Sequence, residues 1–554
     1  MKYISKFFLA GLLFFVSACD LTDLDANLDN PNNVSVDNLD VNLLINKIQA
    51  DFGDFFAEAN IPAMELSRMM ALAGGDVYER AYQAQDHNDI WNRGYQDVLI
   101  QIETLLEQTE GTTFTIHAGT AKILKAYILL TLVDLFGDVP YSEALRGAEG
   151  IFNPKLDDDA EVYQAAISLL DDGISDLGQP GAQALARDIF YGGSAAKWAA
   201  LANTLKLKVY LNLSLTNESG ARGEITKLLG ADLIDSDDEE FTYKYGSADV
   251  PARSRHPWYR NMYQPSGEVA EYMSNYYMLV CYEQKGVQDP RWRYYFYRQV
   301  GSIDKALADE PESIPCIISP RPSHYSQDQA WCAFDPGFFG RDHGNNDGIP
   351  PDDDARTTVG VYPCGGRIDL NDGDDNYAGT TRQGQGANGA GIEPIWMASF
   401  TDFVKAEAAL MLGTDGDPKA LMLGAVNKSI ERVRNFSNSK GQSLPGGLEP
   451  STDDYIAAVE ARWDAAGSTD ARLDVLMKEY YIALWGNGVE AYNLYRRTGK
   501  PSDMQPMRAA TAGSFLRSLI YPADFVNLNS NVSQKSNSTV NKVFWDNNPD
   551  DFIK

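Results

Sequence analysis

The sequence predicts a mainly α protein: a scaffold of paired helices carrying a large irregular, loop-rich half. Three observations predict it. Apolar residues recur at helical spacing over residues 39–229 and again over 396–497. Between these blocks, residues 314–398 hold thirteen glycines and eleven aspartates, a loop-forming composition that cannot continue helix pairs. Hydrophobic residues make up 44% of the 554-residue chain, enough to bury a core and exclude a disordered chain.

Residues 1–18 read as a signal peptide. Lys2 and Lys6 precede ten apolar residues from Phe7 to Val16, too short a run to span a bilayer of ~30 Å. Val16-Ser17-Ala18-Cys19 then resembles a bacterial lipoprotein box, so Cys19 is the expected lipidated N-terminus of the mature chain. Residues 19–38 read as a polar tether, and lipid is the expected hold on the membrane. Asp20 directly follows the cysteine. In some bacteria an acid there retains lipoproteins in the inner membrane, and in others an acidic stretch accompanies export to the surface; both stay open here.

The N-terminal helical part is expected over 39–234. Leu124, Tyr127, Ile128, Thr131, Leu132 and Leu135 mark one buried helix face, which Gly137 ends, with Pro140 beyond it. Residues 159–177 and 194–215 read as two further helices with alanine-rich faces, which let neighbours approach closely. Together these resemble tetratricopeptide-type helix pairs, without a strict 34-residue repeat. Residues 235–395 are the expected irregular part, and 396–554 the second helical part with an irregular tail from Met504, all within one domain.

The 78 acidic and 47 basic residues give a net charge of −31, which argues against nucleic acid as a partner. Cys281, Cys316, Cys332 and Cys364 allow three pairings in an exported chain, and three of them fall in one irregular segment where a loop staple is expected. Gly384 to Gly389 matches GxGxxG, but no strand precedes it and no helix follows, so it reads as a flexible loop. The five histidines are scattered, and no HExxH, GxSxG or P-loop is present. Asp369, Asn371, Asp372, Asp374 and Asp375 form one oxygen-rich cluster, and Asp342, Asn345 and Asp347 another. Calcium is a candidate ligand of the first, though neither fits the calcium-loop pattern and solvated turns are the simpler reading.

Residues 241–300 contain fifteen aromatics. Trp258 and Tyr259 lie between Pro257 and Arg260, Tyr263 is close by, and Trp331 adjoins Cys332. Aromatic faces on irregular backbone suit sugar rings or peptide side chains, so these four residues are the candidate ligand contacts. Core packing under long loops is the alternative for each of them.

Several motifs, in order, resemble one family. Leu135-Phe136-Gly137-Asp138-Val139-Pro140-Tyr141 is similar to the "fGDvPy" turn of the SusD/RagB family, and Lys197-Trp198 with Ala202 to Lys206 to its next helix. Gly340 to Gly344, Gly348 to Asp352, Gly360 to Pro363, Glu490-Ala491-Tyr492, Arg496 to Gly499 and Tyr521-Pro522 resemble the SusD-like nutrient-binding branch. The resemblance implies an outer-membrane lipoprotein at the cell surface of Bacteroidota. It implies a tetratricopeptide-like scaffold with an irregular capping half, seated on a SusC-type TonB-dependent β-barrel. Such a protein captures oligosaccharides, or in some members peptides, without catalysis and without a required cofactor. A structural assembly protein and, behind it, a surface glycosidase are the alternatives.

Overall fold

Helix α1, Val41–Leu66, begins where the Asp40 carboxylate accepts the Asn42 N–H at 2.9 Å, satisfying one of the donors that every helix start leaves open. The computed structural model describes residues 40–250, 253–263, 271–309, 319–345, 355–372, 379–536 and 540–553. Cys19, the signal segment and the tether lie outside these residues, as do Cys316, Asp347, Asp374 and Asp375.

Residues 88–109 run as a short α turn, a π-helical segment Asn92–Leu99, and α2, Ile100–Thr109. Helix α3, Thr115–Phe136, is long and apolar enough to cross a membrane, but buried positions run around its whole circumference and it forms the centre of the scaffold. Gly137 ends it at φ +73°, a backbone region that favours glycine. Helix α4, Asp159–Leu177, packs along α3, followed by α5, Ala195–Leu213, and α6, Glu218–Leu228. Glycines allow a close α3–α4 approach: a Cβ on Gly119 would lie 2.8 Å from the Gly173 carbonyl oxygen.

After α6 the chain is irregular, with short helices and two-residue strand pairs. Strand β1, Phe241–Lys244, pairs antiparallel with β2, Ile392–Trp396, tying the start of this part to its end. Helices α7 (Ala398–Leu412), α8 (Pro418–Ser439), α9 (Thr452–Ala465), α10 (Thr469–Ala483) and α11 (Gly488–Thr498) follow. Helix α11 returns to α1, where a Cβ on Gly488 would lie 2.3 Å from the Met64 backbone nitrogen. The architecture is thus the mainly α, helix-pair scaffold with an irregular half that the periodicity predicts.

Residues 384–389 form a turn packed on residues 360–366 rather than a loose loop; Gly386 leaves no room for a Cβ, which would meet the Gly366 carbonyl oxygen at 2.0 Å. Cys332 is disulfide-bonded, while Cys281 and Cys364 are buried free thiols.

Candidate functional site

The aromatic window supplies core. Trp258 is 8% exposed, Tyr259 1% and Tyr263 0%. Trp485, from the turn after α10, lies 5.5 Å from Trp258 and stacks on Tyr277 at 5.0 Å between ring centres. Tyr259 stacks on Tyr263 at 4.5 Å, and their hydroxyls donate to the carbonyls of Gln385 and Val359 at 2.9 and 2.8 Å. These rings pack against other protein groups, as the core-packing alternative has it, and little of them is open to a ligand. An aromatic-rich window between two helical blocks is what joins the irregular half to the scaffold. Trp331 differs: it is partly exposed, and its indole N–H donates to the Ser319 carbonyl at 3.4 Å.

The oxygen-rich segment is also engaged internally. Asp369 is fully buried and its carboxylate accepts from the Arg298 guanidinium and backbone N–H; Asn371 donates to the Arg298 carbonyl at 2.5 Å. Asp372 is exposed. In the second cluster Asp342 is buried and accepts from Asn275, Gln505 and the Cys332 N–H. Among the described residues, no group of three or more His, Cys, Asp or Glu side chains is placed to hold a metal ion.

Open concave surface lies on the scaffold instead. One cleft of about 1040 Å³ runs between α2, α3 and residues 141–149. Lysines hold the acids on its walls: Lys122 reaches Asp176 at 2.7 Å, and Lys125 pairs with Glu103. A second cleft of about 240 Å³ lies beyond the Tyr141–Leu145 ridge, between the π-helical segment, residues 140–154 and residues 522–529. Trp91, Tyr95 and Phe525 contribute to its wall, with Phe152 and Leu528 on the rim.

The shared ridge is pinned by Asp157. This carboxylate accepts the backbone N–H groups of Tyr141 and Ser142 at 2.7 and 2.8 Å and the Ser142 hydroxyl at 2.6 Å. Burial opposes its ionisation, but these donors prevail and hold its pKa below the ordinary carboxylate value. The Tyr95 hydroxyl donates to the Pro140 carbonyl at 2.6 Å, and the Tyr521 hydroxyl to the Asp138 carbonyl at 3.1 Å. The Gly137 to Tyr141 turn and the Tyr521-Pro522 pair, which carried the resemblance, therefore build one wall together. Sequence reasoning missed Trp91, Tyr95, Phe152 and Phe525 because they are dispersed through the chain. The signal present was an isolated Phe152 in the glycine- and proline-containing run 147–154.

A family model described as SusD-like, starch-binding and associating with the outer membrane matches residues 31–309. A second, described as the SusD and RagB outer-membrane lipoprotein, matches residues 373–547. No curated protein matches the chain in sequence. Among solved structures, a SusD/RagB family protein from Bacteroides thetaiotaomicron VPI-5482 superposes with a TM-score of 0.67 at 18% identity, covering 92% of this chain and all of its own. A chitin-binding protein gives 0.63 at 18% identity, over 90% of this chain and 99% of its own. An outer-membrane protein of Bacteroides vulgatus ATCC 8482, described as involved in nutrient binding, gives 0.62 at 18% identity, over 92% and 100%. These structural likenesses speak to the fold, whereas the family models between them span both helical blocks. The chain belongs to the SusD/RagB family of outer-membrane lipoproteins.

Proposed function

We propose that the protein is a cell-surface nutrient-binding lipoprotein, anchored through Cys19, that captures oligosaccharides and hands them to a SusC-type TonB-dependent β-barrel. The match to the SusD-like families along both helical blocks carries this reading. The architecture supports it: helices packed on glycine contacts give a rigid body, and loops on such a body provide selective surface. The chitin-binding and nutrient-binding descriptions of structural neighbours favour a glycan over a peptide. The protein binds without breaking bonds in this reading. The buried carboxylates Asp369, Glu407 and Asp289 are each engaged by an arginine, which suits a structural role rather than acid–base chemistry.

Affinity purification of the lipidated protein from its own outer membrane tests the transfer step. A co-purifying β-barrel transporter is the expected result. Recovery with no barrel partner, or release of shortened products from a bound oligosaccharide, overturns the proposal.

A further inference from the structure

We infer that the 240 Å³ cleft between the π-helical segment and residues 522–529 is a binding site for a short, neutral oligosaccharide segment. The inference deepens the glycan-binding reading above and rests on it.

Five observations converge on this cleft. First, two of the few large apolar side chains left in water sit on its rim: Phe152 is 75% exposed and Leu528 81%. An aromatic ring kept in water beside a concavity is a platform awaiting an apolar face. Second, the floor is already rigid. Trp91 packs on Phe525 at 4.7 Å between ring centres, and the Tyr95 hydroxyl is fixed to Pro140. Third, one wall of the cleft comes from an eight-residue π-helical stretch, a rare conformation that accompanies functional sites. Asn92, Tyr95 and Gln96 share this wall. Fourth, Leu145, at the ridge, holds φ +63°, a left-handed conformation that is costly for a bulky side chain.

The fifth observation concerns polar groups. Gln96 donates its amide to Asn92 Oδ1 at 2.9 Å, and Asn88 Oδ1 accepts the Asp524 N–H at 3.1 Å. Among the described residues, nothing takes the remaining Gln96 carbonyl oxygen or the amide N–H groups of Asn88 and Asn92. The cleft therefore offers both a hydrogen-bond acceptor and donors beside an aromatic platform. A sugar ring presents the complement, an apolar C–H face edged by hydroxyls that both donate and accept.

Size and charge narrow the class. The volume lies below the ~300–1,000 Å³ of sites for drug-sized ligands, so it takes a short stretch of a glycan chain rather than a large compact ligand. Among the described residues, Asp524 is the sole charged side chain lining it, and the whole chain carries −31. Uronate or sulfate groups would meet repulsion and no cation, which leaves neutral sugars.

Titration calorimetry with neutral gluco-, xylo-, manno- and N-acetylglucosamine trisaccharides tests the inference, with trigalacturonate as the acidic control. Phe152→Ala and Gln96→Ala alter exposed side chains, so melting by circular dichroism should match the parent. The expected result is a neutral trisaccharide whose affinity falls at least fivefold in each variant, and no binding of trigalacturonate. Full affinity in both variants would place the glycan elsewhere and overturn this inference while leaving the nutrient-binding proposal intact. Failure of every neutral trisaccharide to bind would overturn both. Phe152-dependent binding of an unmodified tripeptide, with no sugar bound, would make the cleft a peptide site and overturn the glycan class.

Discussion

Arg298 grips Asp369 through both carboxylate oxygens, with Nε 2.9 Å from Oδ2 and Nη2 3.0 Å from Oδ1. Both residues are buried, and Arg293 stands 3.5 Å away on the same carboxylate. The carboxylate that sequence offered to calcium is thus already neutralised by arginine. Asp369→Ala is expected to cost about 3–5 kcal/mol, because it leaves buried guanidinium groups without their counter-charge. Urea unfolding measures this. Calcium or a chelator should leave the midpoint of the parent protein unchanged, and a calcium-dependent rise would return the metal to this segment.

Trp258 is a core residue, so its removal should act on the fold before it acts on any ligand. Trp258→Ala is expected to destabilise by about 3–5 kcal/mol through loss of contacts with Trp485 and the cavity left behind. A variant as stable as the parent, with weakened glycan binding, would reinstate Trp258 as a contact.

Glu393 sets an alkaline limit. Burial raises its carboxyl from 4.5 to about 8, and the Tyr245 hydroxyl at 3.0 Å and His256 at 3.3 Å lie against it. Burial also pushes His256 down to about 3, so both groups are held toward their neutral forms. The folded state thus binds the Glu393 proton more tightly than the unfolded chain. Its contribution is present at low pH and is lost as pH rises from about 4.5 to about 8, by on the order of a few kcal/mol. The neutral His256 acts oppositely, its contribution falling as pH drops below 6.5. In Glu393→Gln, the alkaline decline measured by chemical unfolding at several pH values should flatten. An unchanged slope would show that Glu393 ionises freely in the native protein.

Gly119 and Gly173 set the spacing of α3 and α4. Gly119→Leu would drive a side chain toward the Gly173 carbonyl, 2.8 Å from where its first carbon would sit. The expected cost is at least ~1–3 kcal/mol, read as a lowered melting temperature, because packed helices cannot separate without loss elsewhere. A melting temperature equal to the parent's would mean the helices part freely.

Local chemistry determined much of this protein from its sequence. The 3.6-residue apolar period places α3 and α4, and Gly137 ends α3, because these signals act over a few residues. The ordered motifs from Leu135 to Tyr141 through to Tyr521-Pro522, taken together, indicated the family. What only the tertiary structure decided is which side chains stay open. Trp258, Tyr259 and Tyr263 have the composition of a binding surface, but Trp485 and the turn at 384–389 close over them. Trp91, Phe152 and Phe525 are far apart in sequence and meet because the segments at 91, 152 and 525 converge beside the end of α3. Exposure is a property of distant neighbours, and a spacing pattern within one segment carries no record of them.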